Sequence, residues 1–205
     1  IRDSVYTDPD DLAAVVADIE GTPVLLVDTA GAEERLEDIP WVADARVVAS
    51  MPNRASIEIR ERTPLVAMLG VDGLSRVLDE DGRVLDVIEG QPVALVWISG
   101  PGTLDLTPGE FAPIGYSAAS SLVTKLTPTI RSRVESLLVT PDGADLVMIL
   151  TSPAGPIEVR FGSAIGDNAQ IEKLVRLERQ LDDLAEPGDT AVRVIDVSTS
   201  EVTVR

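Results

Sequence analysis

The sequence predicts an α+β protein: an N-terminal βααββ domain, then a mostly antiparallel β domain carrying two helices. Three observations predict it. Apolar residues recur at helical spacing twice before residue 40, then alternate strictly with polar ones between 45 and 59. After Thr63-Pro64, short strand signals follow one another at close spacing, separated by Gly and Pro turns. A hydrophobic fraction of 44% over 205 residues allows each part its own core. The domains are expected at 1–63 and 64–205.

The elements follow in chain order. Asp8-Pro9-Asp10-Asp11 is a helix start, with Asp8 as N-cap, Pro9 at the first helical position and acids at the positive dipole end. Leu12, Val15, Val16 and Ile19 form its apolar face, and Gly21 ends it. Pro23–Val27 is a short apolar run. A second helix after Thr29 buries Leu36 and Ile39 and turns Glu33, Glu34, Glu37 and Asp38 to water, stopping at Pro40. Ala45, Val47 and Ala49, then Ala55, Ile57 and Ile59 across the Met51-Pro52-Asn53 turn, make a hairpin with one buried face. Ile1–Tyr6 is the remnant of a leading strand.

In the second domain, strands are expected at Leu65–Leu69, Leu74–Leu78, Val84–Ile88 and Val93–Ile98, with Asp81-Gly82 turning the middle pair. A Pro- and Gly-rich loop covers 99–115, and a helix spans about 113–126. Val134–Thr140, Asp145–Leu150 and Ile157–Phe161 form a meander. A long helix capped by Asp167 presents Ile171, Leu174, Val175, Leu177, Leu181 and Leu184 to the core and ends at Pro187-Gly188. Val192–Val197 and Val202–Val204 are the closing strands.

Composition excludes several functions. The net charge of −18 repels phosphate backbones and anionic lipid headgroups, so nucleic acid is not an expected partner. With no Cys and no His, Ser-His-Asp and Cys-His nucleophile systems, zinc sites and His-ligated haem are ruled out. No catalytic, cofactor or metal constellation is recognisable. Gly162-Ser163-Ala164-Ile165-Gly166 lacks a phosphate-loop Lys and reads as a strand-to-helix turn. Asp79-Glu80-Asp81-Gly82 is too short for a calcium loop and reads as a solvated hairpin turn. Glu33-Glu34 and Asp182-Asp183 read as solvated helix faces. Trp41 and Trp97 are expected in the core, with partner contact the alternative for Trp41. No apolar run approaches the ~20 residues that span a bilayer. The chain begins at Ile1 without Met, which suggests a longer protein with a membrane anchor upstream.

One ordered set of motifs is more specific. Leu36-Glu37-Asp38-Ile39-Pro40-Trp41-Val42, Ala45, Val47, Pro52, Ile57-Glu58-Ile59 and Glu61-Arg62-Thr63-Pro64-Leu65-Val66-Ala67 resemble the POTRA domain of the FtsQ/DivIB family. Gly21–Asp28, the Leu78–Leu85 hairpin, Val159 with Phe161-Gly162, Lys173-Leu174 and Ile195-Asp196-Val197-Ser198 extend the resemblance along nearly the whole chain. The first POTRA strand is truncated here, and a predominance of Arg over Lys suggests an actinobacterial source.

The resemblance implies a divisome component without enzymatic activity or cofactor. In the family, a cytoplasmic tail and one N-terminal membrane helix precede the POTRA and β domains, which lie outside the cytoplasmic membrane and gather at the septum. Its partners are FtsB and FtsL, which lead on to septal peptidoglycan synthesis, with other divisome members as candidates for the POTRA domain. FtsB adds a strand at the C-terminal edge of the β domain. By position, that site falls on Asp196, Val197, Ser198, Thr199, Glu201, Val202, Thr203 and Val204, with Arg176 and Arg179 as weaker contacts. The plainer reading keeps these as final core strands, with the arginines paired to Glu172 and Asp183 along the helix. An open strand edge is physically suited to the first role, because its unpaired backbone groups template an incoming strand. The fragment is expected to be monomeric. Two rivals remain: a POTRA-bearing translocation or assembly factor, which predicts tandem βααββ units, and a carbohydrate-cleaving enzyme, which needs two acids about 5–10 Å apart.

Overall fold

Helix starts in the first part are set by aspartates. In α1 (Pro9–Ile19) the Asp8 carboxylate accepts the Asp10 N–H at 2.9 Å. In α2 (Thr29–Asp38) Asp28 accepts the Gly31 N–H at 3.0 Å. Glycine at 31 leaves room for this cap, since a Cβ there would lie 2.5 Å from the Asp28 carboxylate and displace it. The computed structural model describes residues 5–102, 104–183 and 192–205, and the chain divides into two units, Ile1–Thr63 and Pro64–Arg205.

In the first unit, the apolar run before Asp28 is a single 3-10 turn, Val24–Leu26, with Leu25 and Leu26 exposed. Strands β1 (Val42–Ser50) and β2 (Arg54–Glu61) pair antiparallel, Ala45 opposite Ile59 and Val47 opposite Ile57. Leu12, Val15, Ala32, Leu36, Val42, Ala45 and Val47 form the core, edged by Ile19, Ile39, Ile57 and Ile59. Two expectations fail here. Glu33 is only partly exposed, and both it and Glu37, which stays exposed as expected, do more than face water: they accept the Val47 and Ala45 N–H groups at 2.8 and 3.2 Å, covering the outer edge of β1. Trp41 is half-buried, outside the core cluster, and stacks on Tyr6 with ring centroids 4.6 Å apart.

Residues 5–7 are not strand. They bend around the Glu61 carboxylate, which accepts the N–H groups of Val5, Tyr6 and Thr7 and the Thr7 hydroxyl, at distances from 2.6 to 3.1 Å. The rest of the expected leading strand, residues 1–4, lies outside the described residues.

The second unit is a nine-stranded sheet in the order β11-β10-β9-β8-β7-β6-β3-β4-β5. Its strands are β3 (Val66–Leu69), β4 (Ser75–Leu78), β5 (Val84–Ile88), β6 (Val96–Ser99), β7 (Val134–Val139), β8 (Leu146–Leu150), β9 (Ile157–Gly162), β10 (Val194–Asp196) and β11 (Thr203–Val204). Five neighbouring pairs are antiparallel and three parallel. Parallel neighbours need a crossover. Helix α3 (Ile114–Lys125) and a one-turn helix α4 (Pro128–Arg131), which the sequence reading lacked, lie between β6 and β7; α5 (Asp167–Asp183) lies between β9 and β10. The core joins Tyr116, Leu122 and Val123 of α3 and Leu174, Leu177 and Leu181 of α5 to Leu137, Met148, Val159, Phe161 and Ile195 of the sheet.

Several side chains depart from expectation. Ile171 and Val175 are exposed, because α5 packs through Gln170, Lys173, Leu174, Leu177 and Leu181 instead. Leu184 and Pro187-Gly188 lie outside the described residues. Trp97 alternates with buried Val96 and Ile98, so it sits half-buried on the opposite face of the sheet, in register with Ala67. Val93 is fully exposed, and the strand begins only at Val96. Asp79 is 2% exposed and accepts the Asp81 and Arg83 N–H groups, so only the middle of that turn is solvated. Asp167 is the first residue of α5 and binds Lys125 Nζ at 2.7 Å. Among the described residues, no helix is long and apolar enough to cross a membrane.

Candidate functional site

The residues singled out at the C-terminus converge on one sheet edge. β10 runs parallel to β9, and the Val197 N–H continues the pairing by donating to Arg160 O at 2.9 Å. Ile195 and Val197 are fully buried, so the Val197 side chain serves the core rather than a surface. Asp196 closes the strand by accepting the Ser198 N–H at 2.9 Å and the Ser198 hydroxyl at 2.6 Å. Those two bonds, the hydroxyl's first, hold its carboxyl below the usual range against a small burial effect, and the charges of Arg160 and Arg205 add to them. In the turn that follows, the Thr199 hydroxyl donates to Glu201 O at 2.9 Å, and the Arg176 guanidinium donates to Thr199 O. Arg176 thus ties α5 to the turn; its other contact is with the backbone oxygen of Glu172, at 3.4 Å. Arg179 is exposed on the same helix.

Val202 is half-buried against the core, and β11 pairs Thr203 with Asp196 and Val204 with Ile195. Val194 and Arg205 exchange both backbone hydrogen bonds at 3.0 Å. Bonded and non-bonded pairs alternate in an antiparallel ladder. Thr203 therefore bonds inward to β10, while the N–H and C=O groups of Val202 and Val204 face away from the sheet. At the opposite edge the start of β5 is covered: Val84 N–H donates to Glu110 O, Gly109 N–H to Val84 O and Ala112 N–H to Gly82 O, each at 2.8 to 2.9 Å.

Lys173, quoted at the sequence level only as a motif residue, supports this edge. It is 8% exposed, donates to Ser163 O at 3.0 Å and lies 5.0 Å from the Phe161 ring centroid. Burial, then the Arg176 charge, lowers its pKa. Beside it, Gly162 has φ +68°, and a Cβ there would sit 2.8 Å from the Ser198 Cβ. The sequence signal was its place in the buried stripe of α5, where a lysine is out of pattern. Ile171, Val175 and Arg179, at four-residue spacing, form the outer face of the same helix.

Among the described residues, the outer edge of β2 in the first unit is open as well. On β2 the backbone groups of Ala55, Ile57 and Ile59 face away from β1, beside a groove of about 1260 Å³ lined by Val16, Ile19, Val24 and Val27.

Comparisons with known proteins fit this geometry. Residues 1–62 match the family model described as POTRA domain, FtsQ-type. The chain is similar to the cell division protein FtsQ of Corynebacterium glutamicum, 26% identical over 94% of this chain and 84% of that protein. It is similar also to FtsQ of Mycolicibacterium smegmatis, 36% identical over 60% of this chain and 40% of that protein. With FtsQ of Mycobacterium tuberculosis it shares 30% identity over 88% of this chain and 51% of that protein. The chain thus spans about half or less of the length of the two mycobacterial relatives. The first unit is thus an FtsQ-type POTRA domain, and along most of its length the chain is similar to FtsQ cell division proteins.

Proposed function

We propose that this chain is the partner-binding part of a non-enzymatic divisome scaffold. It acts outside the cytoplasmic membrane, anchored by a helix upstream of Ile1, and holds FtsB together with FtsL at the septum, linking them to septal wall synthesis. FtsB adds a strand to β11. The observation that carries this reading is the outward set of backbone groups on Val202 and Val204, at an end of the sheet that no other strand covers among the described residues. Strand addition takes its affinity from such backbone bonds and its specificity from neighbouring side chains. Glu201, Ser198 and Thr199 border the edge, and Ile171, Val175 and Arg179 offer a flanking helix face. The translocation-factor reading expects a second βααββ unit after residue 63, where a nine-stranded sheet stands.

The test is a titration of the fragment with the soluble segment of FtsB, with and without FtsL. Proline removes a backbone donor. Val204→Pro, which removes an outward N–H, is expected to weaken binding by about tenfold or more, the loss of one good interaction, while circular dichroism stays native. Thr203→Pro removes an inward bond and is expected to loosen β11 itself. Full-strength binding by a folded Val204→Pro protein would move the partner elsewhere.

A further inference from the structure

Four chain segments are laced together around the start of α3. Ala112 N–H donates to Gly82 O, Gly115 N–H to Pro141 O and Ala164 N–H to Gly143 O, each at 2.9 Å. The packing leaves no room for a side chain at two of the joints. A Cβ on Gly115 would lie 2.0 Å from Thr140 O, and one on Gly82 would lie 2.3 Å from the Ser117 hydroxyl. This surface is preorganised, so a partner that binds it loses little entropy in ordering it.

What the segments present is apolar and acidic together. Phe111 is 57% exposed, Ile114 61% and Ile165 45%. Ile114 and Ile165 line a common depression of about 260 Å³ with Glu80 and Asp167 on its rim. Glu110 adjoins Phe111, and Asp142 adjoins Gly143, whose Cβ position is 3.0 Å from Ile165. The nearby cations are already engaged: Arg83 lies over the Phe111 ring at 5.9 Å, and Lys125 binds Asp167 at 2.7 Å. Apolar side chains exposed within a charged rim mark an interaction surface. The sign of the rim selects the occupant, because carboxylates repel lipid headgroups and nucleic acid and attract a basic chain.

We infer that this face, centred on Phe111, Ile114 and Ile165, docks a basic polypeptide segment that brings apolar side chains into the Ile114–Ile165 depression. It is a second partner surface of the β unit, carried by observations independent of the β11 edge.

The test uses the whole chain labelled for backbone NMR, with a synthetic amphipathic helix of leucine and lysine as probe and a leucine–glutamate helix as control. Saturable binding of the lysine helix is expected, with shifts concentrated at Phe111, Ile114, Ile165 and Gly82. Ile114→Ser with Ile165→Ser, both at exposed positions, is expected to weaken it about tenfold, the scale of a pair of interface anchors. Glu80→Gln with Asp142→Asn is expected to reduce its salt dependence. Shifts spread over the acidic surface, shifts confined to residues 196–204, equal binding of the glutamate helix, or no change in the serine variant would each overturn the assignment.

Discussion

Glu61 shows how one side chain can set the entry of a domain. Its carboxylate gathers three successive backbone N–H groups and a hydroxyl from residues more than 50 positions earlier. Burial works against the charged form, but the bonds from the Thr7 hydroxyl and from Val5, Thr7 and Tyr6 together hold the carboxyl below its ordinary value. A lowered pKa contributes stability that is fully present above the unfolded value, about 4.3 for Glu, and is lost as pH falls through the folded one. Glu61→Gln is therefore expected to cost about 1–2 kcal/mol near neutral pH, the range for hydrogen bonds to a charged group near the surface. In urea melts of both proteins the difference should hold from pH 7 to about 5 and shrink as pH falls below the unfolded value of about 4.3. A constant difference down to pH 3 would show that shape, not charge, holds the segment. The bonding was not legible in the sequence, where Glu61 enters only as a motif residue; it depends on a bend at residues 5–7 that no local pattern announces. Lys173 was closer to legible, since a lysine inside an apolar stripe asks for a partner.

Elements were legible where turn chemistry and periodicity agree. Asp8 starts the first helix as its sequence predicts, and the alternation at 45–59 reads out as β1 and β2, with Ala45 and Val47 buried, Ile57 and Ile59 half-buried and, against expectation, Ala55 exposed. Legibility fails where burial depends on which neighbour an element meets. Ile171 and Val175 fit the apolar stripe of α5 by spacing, yet the helix rolls onto Gln170 and Lys173 and leaves both exposed. The same limit applies to α2: spacing puts Glu33 and Glu37 on its polar face, and only the position of β1 beside them reveals that they satisfy its outward donors. Such edge cover guards against pairing with another chain. Replacing Glu33 and Glu37 together by Ala should cost about 1–3 kcal/mol, one partly buried bond each, and should raise self-association in sedimentation runs. Unchanged stability and a monomer throughout would mean that water replaces the carboxylates without loss.

At the scale of the molecule, charge and sheet order decide the behaviour. The net charge of −18 opposes self-association at neutral pH, and the sequence isoelectric point near 4.2 marks where that protection ends. A monomer at pH 7 that associates as pH approaches 4.2 is expected by light scattering; association already at pH 7 would point to a specific interface. The two-part layout was readable from the change of rhythm at Thr63-Pro64. The parallel contacts β3–β6, β6–β7 and β9–β10 were not, because strand order follows from where each crossover packs, the β4–β5 hairpin in the first and helices in the other two. That order puts β11 at the open end of the sheet and turns Val202 and Val204 outward. Amide hydrogen exchange on the fragment, alone and saturated with the FtsB segment, reads those two groups directly. New protection at Val202 and Val204, with Thr203 already protected before the partner is added, is the predicted result. Saturated binding with no new protection at either valine would contradict strand addition at this edge.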